Sequence, residues 1–274
     1  MRVTLLSPAK VNLGLKVIRR RSDGYHEVET VLQTVALFDR LVLTRGEPGI
    51  NLMAPAGLPQ GRENLCFIAA ESFYGRTSLD PAISIELTKN IPVEAGLGGG
   101  SSNAAHVLLG LNALYGSPLE IGELEFLAAH IGSDVPFFLR GGTARATGRG
   151  EVITALPDLN PRWLRIIKPP FGLATAQVYA EWQPVASSSN VHLHNDLEAA
   201  ALKLRPELRE LKALLAEDGA ELSLLCGSGS AICGFYEERP TRALRLAEGF
   251  REYVVPTLTA AECQANILRG ESAL

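Results

Sequence analysis

Through the first third of the chain, apolar positions rich in Val, Leu and Ile come in short alternating runs. Residues 3–6, 11–18, 28–36, 41–44, 50–53 and 83–87 each read as a β-strand, with Gly, Pro and charged turns between them. The period then lengthens. Residues 64–74 carry apolar side chains at helical spacing behind Asn64, a candidate N-cap, and 103–115 and 119–130 repeat that spacing. Ser133-Asp134-Val135-Pro136 sets a capping residue before a first-turn proline, which predicts another helix start, and strand returns at 142–147. Pro157-Asp158-Leu159-Asn160-Pro161 breaks the pattern, so a domain boundary is expected there, dividing the chain into 1–156 and 157–274. Beyond it come a strand (163–167), helices (175–180, 206–217), two strands (222–225, 231–235), a helix (241–248) and a strand (253–256). Counting the helical region as one crossover, the order is βαββαβ, a ferredoxin-like arrangement, and the fold class is α+β. Ala186-Ser187-Ser188-Ser189-Asn190 reads as a surface loop.

Composition narrows the function. The 274 residues suffice for two modest domains, and 46% hydrophobic with 20% charged residues is ordinary globular composition. A net charge of −4 without a basic run argues against a nucleic-acid face. No apolar run reaches the roughly 20 residues that cross a bilayer, and the first residues lack a signal-peptide core, so a cytoplasmic protein with no membrane partner is expected. Cys66, Cys226, Cys233 and Cys263 form no CxxC pair and are expected as reduced, buried thiols; Cys226 and Cys233 bracket a glycine turn. The five histidines have no zinc-like spacing, and no transition-metal site is expected.

The stretch Pro92-Val93-Glu94-Ala95-Gly96-Leu97-Gly98-Gly99-Gly100-Ser101-Ser102 changes the picture. Four glycines in five positions bare the backbone, and the chain runs directly into the apolar helical stretch Asn103-Ala104-Ala105-His106-Val107. Free N–H groups at the helix start, two serine hydroxyls and the helix dipole make a cradle for a phosphate. It is not a Walker A loop, since no Gly-Lys-Ser/Thr occurs, and Ser101 stands where a dinucleotide fingerprint needs its third glycine. The missing positive charge has to come from Mg²⁺ and a lysine distant in sequence.

Lys10, in Ser7-Pro8-Ala9-Lys10-Val11-Asn12, sits among apolar residues; it either snorkels to solvent or faces a phosphate or carboxylate. Asp134 either caps a helix or is a carboxylate in an apolar setting, able to take a hydroxyl proton. A lysine nearby would keep such a carboxylate anionic, so the two make sense as a pair. Asp23-Gly24-Tyr25-His26-Glu27 is a polar turn with two planar rings: a surface loop, or a reader of a nucleobase. Cys226-Gly227-Ser228-Gly229-Ser230 is a second glycine turn, either a plain hairpin or a close backbone approach to a ligand. Asn195-Asp196-Leu197-Glu198 reads as a helix start.

Pro8-Ala9-Lys10-Val11-Asn12, the loop from Pro92, Gly132-Ser133-Asp134-Val135-Pro136 and Cys226-Gly227-Ser228-Gly229-Ser230 occur in the order found in the GHMP small-molecule kinases, and the chain resembles that family over nearly its whole length. The segment from Arg20 through Asp23-Gly24-Tyr25-His26 to Thr34 is similar to the branch that phosphorylates the 2-hydroxyl of 4-diphosphocytidyl-2-C-methyl-D-erythritol, in the non-mevalonate isoprenoid pathway. The resemblance implies a two-domain α+β fold with the phosphate loop in the N-terminal domain and a ferredoxin-like C-terminal domain, and the use of ATP and Mg²⁺. It implies Asp134 as base with Lys10 as partner, and the loop at Gly96–Ser102 around the phosphates with a serine near Mg²⁺. Asn64 and Leu65 would border the adenine. Tyr25 would stack on the cytosine, His26 would bind its edge, and Asn12 would face the methylerythritol. Tyr179 either closes the cytosine sandwich or is a buried helix residue. The loop departs from the family pattern at Val93-Glu94-Ala95, where glycine is usual, and Glu94 would repel phosphates unless it points away. A monomer or weak homodimer is expected. Two other readings stand beside this one: a GHMP kinase acting on homoserine or a mevalonate derivative, and a nucleotide-binding protein of the same fold without turnover.

Overall fold

The structure is a computed structural model that describes residues 1–184 and 193–267; the stretch 186–190 lies outside the described residues. The four short runs expected before residue 45 are two long strands, β1 (Arg2–Arg20) and β2 (His26–Arg45), paired antiparallel along their whole length. What reads as a break is a bulge. The pairing slips at Pro8/Ala9, Asn12/Gly14 and Val17/Arg19, so a proline that cannot donate to the ladder is accommodated without ending the strand.

The other edge of β2 is divided. Its end at 40–45 pairs with β4 (Ala82–Thr88), which runs parallel to β3 (Gly49–Met53). Its middle, at 30–33, pairs with β5 (Thr143–Thr147), and β5 pairs with β6 (Val152–Ala155), a strand the sequence pattern did not reveal. Helices α1 (Leu65–Thr77), α2 (Gly99–Leu114), α3 (Ile121–Ile131) and α4 (Val135–Phe138) pack on this sheet around Leu5, Leu41, Ile85, Phe73, Leu108 and Phe137. Asn64 is the N-cap of α1, its Oδ1 accepting the Cys66 N–H at 3.0 Å.

From residue 163 the chain builds a second sheet from β7 (Trp163–Lys168), β8 (Leu222–Leu225), β9 (Ile232–Tyr236) and β10 (Arg251–Pro256). Its order is β10-β7-β9-β8, all antiparallel, which is the ferredoxin-like order. The crossover holds α5 (Thr175–Glu181), α6 (Glu198–Leu204) and α7 (Leu208–Glu217), and α8 (Ala260–Ile267) follows β10 and packs back on β1. One expectation fails: residues 241–248 form no helix. They belong to no regular element, with Leu244 and Leu246 packed on the core at a spacing of two, and the Arg242 carbonyl accepts a 2.7 Å hydrogen bond from the buried Arg165 guanidinium. Tertiary contacts override the local propensity.

The β1–β2 hairpin has buried partners on both faces. Val11, Val31 and Val35 pack with Leu164, Ile166 and Cys233 of the second sheet, and Leu15, Val17 and Val28 pack with Val178 and Leu211 of the crossover helices. Double-sided burial is why consecutive residues 7–15 of β1 are all buried. All four cysteines are free, buried thiols. No helix among the described residues is long and apolar enough to cross a membrane.

The segment leading into the glycine loop is fixed by a buried polar cluster. Asp39, fully buried on β2, accepts from the Lys89 ammonium, from Asn103 Nδ2 at 2.9 Å and from the N–H groups of Asn90 and Ile91 at 2.7 and 2.8 Å. Asn103 also donates to Ser7 Oγ at 2.7 Å, which ties the first turns of α2 to β1. Removing the carboxylate strands a largely buried ammonium and two main-chain donors. Asp39→Ala is therefore expected to lower the unfolding free energy by about 3 kcal/mol. Urea denaturation measures it, and a loss under about 1 kcal/mol, the scale of an exposed pair, would mean the cluster holds nothing.

Candidate functional site

Lys10 is 4% exposed, beside the first bulge of β1. Its main-chain N–H donates to Leu97 O of the glycine loop at 3.0 Å. Its ammonium donates to Asn12 Oδ1 at 2.8 Å; Asn12 Nδ2 donates to Thr30 Oγ1 at 2.8 Å, and that hydroxyl donates to Gly14 O at 2.6 Å. Positions i and i+2 share a strand face, so the spacing of Lys10 and Asn12 builds this chain. Asp134 Oδ2 lies 3.6 Å from the ammonium, with a third of its side chain exposed. Asp134 precedes α4, yet its side chain caps nothing, so the carboxylate is left to face Lys10.

The glycine loop enters α2 through left-handed residues, with φ of +73° at Gly96 and +70° at Gly98, the N-cap. A Cβ on Gly96 would lie 1.7 Å from Cys226 O, and one on Gly98 would lie 2.9 Å from the Phe138 ring and 3.0 Å from Lys10 Cγ. Glycine is thus required twice over at both positions, by conformation and by space. The second glycine turn is what the loop meets, so that turn packs against the loop as well as closing the β8–β9 hairpin. Asn195 pins the turn, Nδ2 donating to Leu225 O at 2.9 Å and to Gly227 O at 2.7 Å. In α2, Ser102 Oγ is buried with no hydrogen-bond partner, next to the unpaired N–H groups of the first turn. One turn on, His106 donates from Nδ1 to Ser102 O at 2.8 Å, and burial pushes that imidazole down to about 4, which keeps it neutral. Glu94 adopts φ of +52° and turns toward Gly172 in the second half, where its charge partly offsets the lowering that burial imposes on Lys168.

Two clefts meet at Gly96, Gly98 and Ser101. The larger encloses about 1060 Å³ and is lined by Lys10, Asn12, Tyr25, His26, Asp134 and Tyr179, among others. The smaller, about 340 Å³, is lined by Asn64, Leu65, Lys89 and the loop from Pro92 through Val93, Glu94, Ala95 and Leu97 to Gly100. The expected site residues therefore divide between two adjoining spaces. Ser102, fully buried, is the residue of the loop that lines neither. The Asn64 side chain is already engaged, capping α1 and donating to Pro59 O at 2.8 Å.

The aromatic end of the larger cleft pairs with itself. His26 stacks on Tyr179 with ring centroids 4.7 Å apart and planes 26° apart, and Trp182 meets His26 edge-on at 5.7 Å. Tyr25 is 55% exposed, with the Arg149 guanidinium 5.0 Å from its ring centre. Burial first, and the Arg20 charge second, hold His26 below its ordinary value. Burial, then the Asp134 charge, raises the Tyr179 hydroxyl. Sequence reasoning missed Thr30, Lys89, Arg149 and Trp182. Arg149 had a readable signal, a cation between two glycines in Thr147-Gly148-Arg149-Gly150-Glu151; Thr30, Lys89 and Trp182 had none.

Comparison with known proteins identifies the family. The profile described as GHMP kinases N terminal domain matches residues 64–142, and that described as GHMP kinases C terminal matches 178–255. A 4-diphosphocytidyl-2-C-methyl-D-erythritol kinase of Moorella thermoacetica is 41% identical, covering 92% of this chain and 98% of its own. One from Syntrophus aciditrophicus is 41% identical over 85% of this chain and 89% of its own. A crystal structure of 4-(cytidine 5'-diphospho)-2C-methyl-D-erythritol kinase superposes with a TM-score of 0.78 at 35% identity, covering 93% of this chain and 98% of that one. The chain belongs to the GHMP kinase family and groups with its 4-diphosphocytidyl-2-C-methyl-D-erythritol kinases.

Proposed function

We propose that this kinase transfers a phosphoryl group from ATP to the 2-hydroxyl of 4-diphosphocytidyl-2-C-methyl-D-erythritol, a step of the non-mevalonate isoprenoid pathway. The observation that carries the reading is the Lys10–Asp134 pair, 3.6 Å apart, in the cleft that holds the aromatic rings and adjoins the glycine loop. Each residue invoked comes from one chain, so the reading needs no second copy and fits a monomer or weak homodimer.

The smaller cleft suits the nucleotide, with Asn64 and Leu65 at its adenine end. The phosphates fit the loop, which lines this cleft from Pro92 to Ser101 and whose helix start has unpaired donors. Among the described residues no cluster of three or more His, Cys, Asp or Glu could hold a metal. Mg²⁺ would therefore be held mainly by phosphate oxygens, with a hydroxyl from Ser101 or from Ser102, whose Oγ lacks a partner. Bound there, the metal-nucleotide supplies the phosphoryl group and neutralises its charge.

The chain's own residues position the acceptor. Asp134 accepts the proton of the attacking hydroxyl. Lys10, locked by Asn12, orients that carboxylate and balances charge on the alcohol oxygen, and Asn12 faces the methylerythritol. Tyr25 and Tyr179 take the cytosine between them. His26, neutral at pH 7, offers one donor and one acceptor to the edge of the base.

Asp134→Asn keeps size and backbone while removing the proton acceptor. Turnover of the cytidine substrate, followed as ADP release, is expected to fall about 10²–10⁴-fold with ATP affinity unchanged. Near-normal turnover sinks the base assignment, and turnover with homoserine or a mevalonate derivative alone would sink the substrate. Protonating His26 removes its acceptor nitrogen. Because its value lies below the ordinary 6.5, KM for the cytidine substrate is expected to stay flat from neutral to mildly alkaline pH. KM should rise only as pH falls beneath that ordinary value, and His26→Ala should remove the dependence; an acid limb that survives in His26→Ala belongs to another group.

A further inference from the structure

The charges lining the larger cleft do not balance. Its cationic side chains are Lys10, Arg20 and Arg149, and its one carboxylate is Asp134. Lys10 and Asp134 face each other, so no carboxylate of the lining is left for Arg20 and Arg149. Among the described residues Arg20 has no ion pair; Arg149 pairs with Glu151, Nε to carboxylate at 3.5 Å, and lies near Asp23, neither of which lines the cleft. Two guanidiniums on the wall of the larger cleft of an acidic protein suit an anionic ligand.

Where those charges belong follows from the turn between β5 and β6. The Arg149 guanidinium stands 5.0 Å from the centre of the Tyr25 ring. A Cβ on the next residue, Gly150, would lie 4.0 Å from Asp134 Oδ1. One short turn thus touches both ends of the cleft, the ring end and the carboxylate end. It is anchored to β2, Val28 N–H donating to Gly148 O at 2.8 Å, and closed by Glu151, which accepts the Arg149 N–H at 2.5 Å. Arg149 thus lines the same cleft as Tyr25 and Asp134, on the turn that approaches both.

We propose that Arg149, with Arg20 as second cation, binds the diphosphate of the acceptor substrate, so that this side chain makes the cleft select a nucleoside diphosphate over the bare nucleoside. The proposal rests on the substrate reading above. It goes further by assigning the diphosphate, which the Lys10, Asn12 and ring contacts leave without a partner. A guanidinium suits the role because its planar donors match pairs of phosphate oxygens. Its place over Tyr25 also ties base and diphosphate recognition to one turn.

Calorimetric binding of cytidine and of CDP, with the ATP cleft saturated by a non-hydrolysable ATP analogue, tests it. The unmodified protein is expected to bind CDP at least tenfold more tightly than cytidine, roughly the scale of a charge-assisted hydrogen bond. In Arg149→Gln that preference should collapse to about twofold with cytidine affinity unchanged, and Arg149→Lys should recover part of it. Arg20→Gln should weaken CDP by a smaller factor. Equal losses of cytidine and CDP in Arg149→Gln would make Arg149 a prop for the Tyr25 ring and overturn the proposal. So would an undiminished preference in that variant, or its absence in the unmodified protein. Turnover of the full cytidine substrate by the unmodified protein keeps the two readings apart. CDP selectivity that depends on Arg149 without turnover leaves the diphosphate site standing and removes the proposed reaction; turnover with an unchanged preference does the reverse.

Discussion

The burial of one ammonium group organises this molecule. Lys10 is 4% exposed, and a desolvated cation is tolerated only with partners. Its partners come from distant places: Asn12 from the same strand, Asp134 from the turn before α4, and Leu97, which takes the Lys10 main-chain N–H, from the glycine loop. Satisfying Lys10 therefore fixes a carboxylate and an anion-binding loop relative to one another. The bulge at Pro8/Ala9 re-aims the strand just before Lys10, and the hydrogen-bonded run through Asn12 and Thr30 to Gly14 O leaves the Asn12 amide little freedom to turn. A surface lysine could have supplied the same charge but not the same geometry.

The two halves meet at that point through backbone. Gly96 lies so close to Cys226 O that even a methyl group would collide, and Ser230 N–H donates to Glu94 O at 3.2 Å. Ser230 Oγ donates in turn to Phe171 O at 2.6 Å, and Lys168 donates to that same carbonyl at 2.7 Å. The loop is thus braced from behind by the second sheet, while β1 and β2 supply apolar faces to both sheets. This resolves the awkward Glu94, which faces Gly172 across the junction.

Much of this was legible in the sequence, and the exceptions share a cause. Helix type and the Asn64 cap were readable because they depend on neighbours within one turn. The glycine loop was readable because four glycines before an apolar helix have few other uses. Residues 241–248 misled because Arg165 and the core beside the crossover helices, far off in sequence, hold them in an irregular path. The bulges misled in the other direction, since Pro8 looks like a terminator when only one strand is in view. Thr30 and Lys89 carry no local mark at all. Each matters only through a partner on another strand or helix, Asn12 for the one and Asp39 and Asn103 for the other.

The aromatic end shows why site geometry in the free protein need not equal geometry in the complex. Tyr179 spends its face on His26, and Tyr25 has a guanidinium over its ring. A pyrimidine entering between the tyrosines has to displace the His26–Tyr179 stack. An aromatic pair contributes about 0.5–1.5 kcal/mol beyond its area, whereas stacking a base on an aromatic side chain contributes about 1–3 kcal/mol. With two ring faces gained for one lost, the exchange favours the ligand. A ligand that lacks a ring leaves the stack closed and gains nothing from it, so this end of the cleft would favour acceptors that carry a base. The same rings that would hold a cytosine thus offer a small hydroxy acid no added binding, before any hydrogen bond to the base edge is counted.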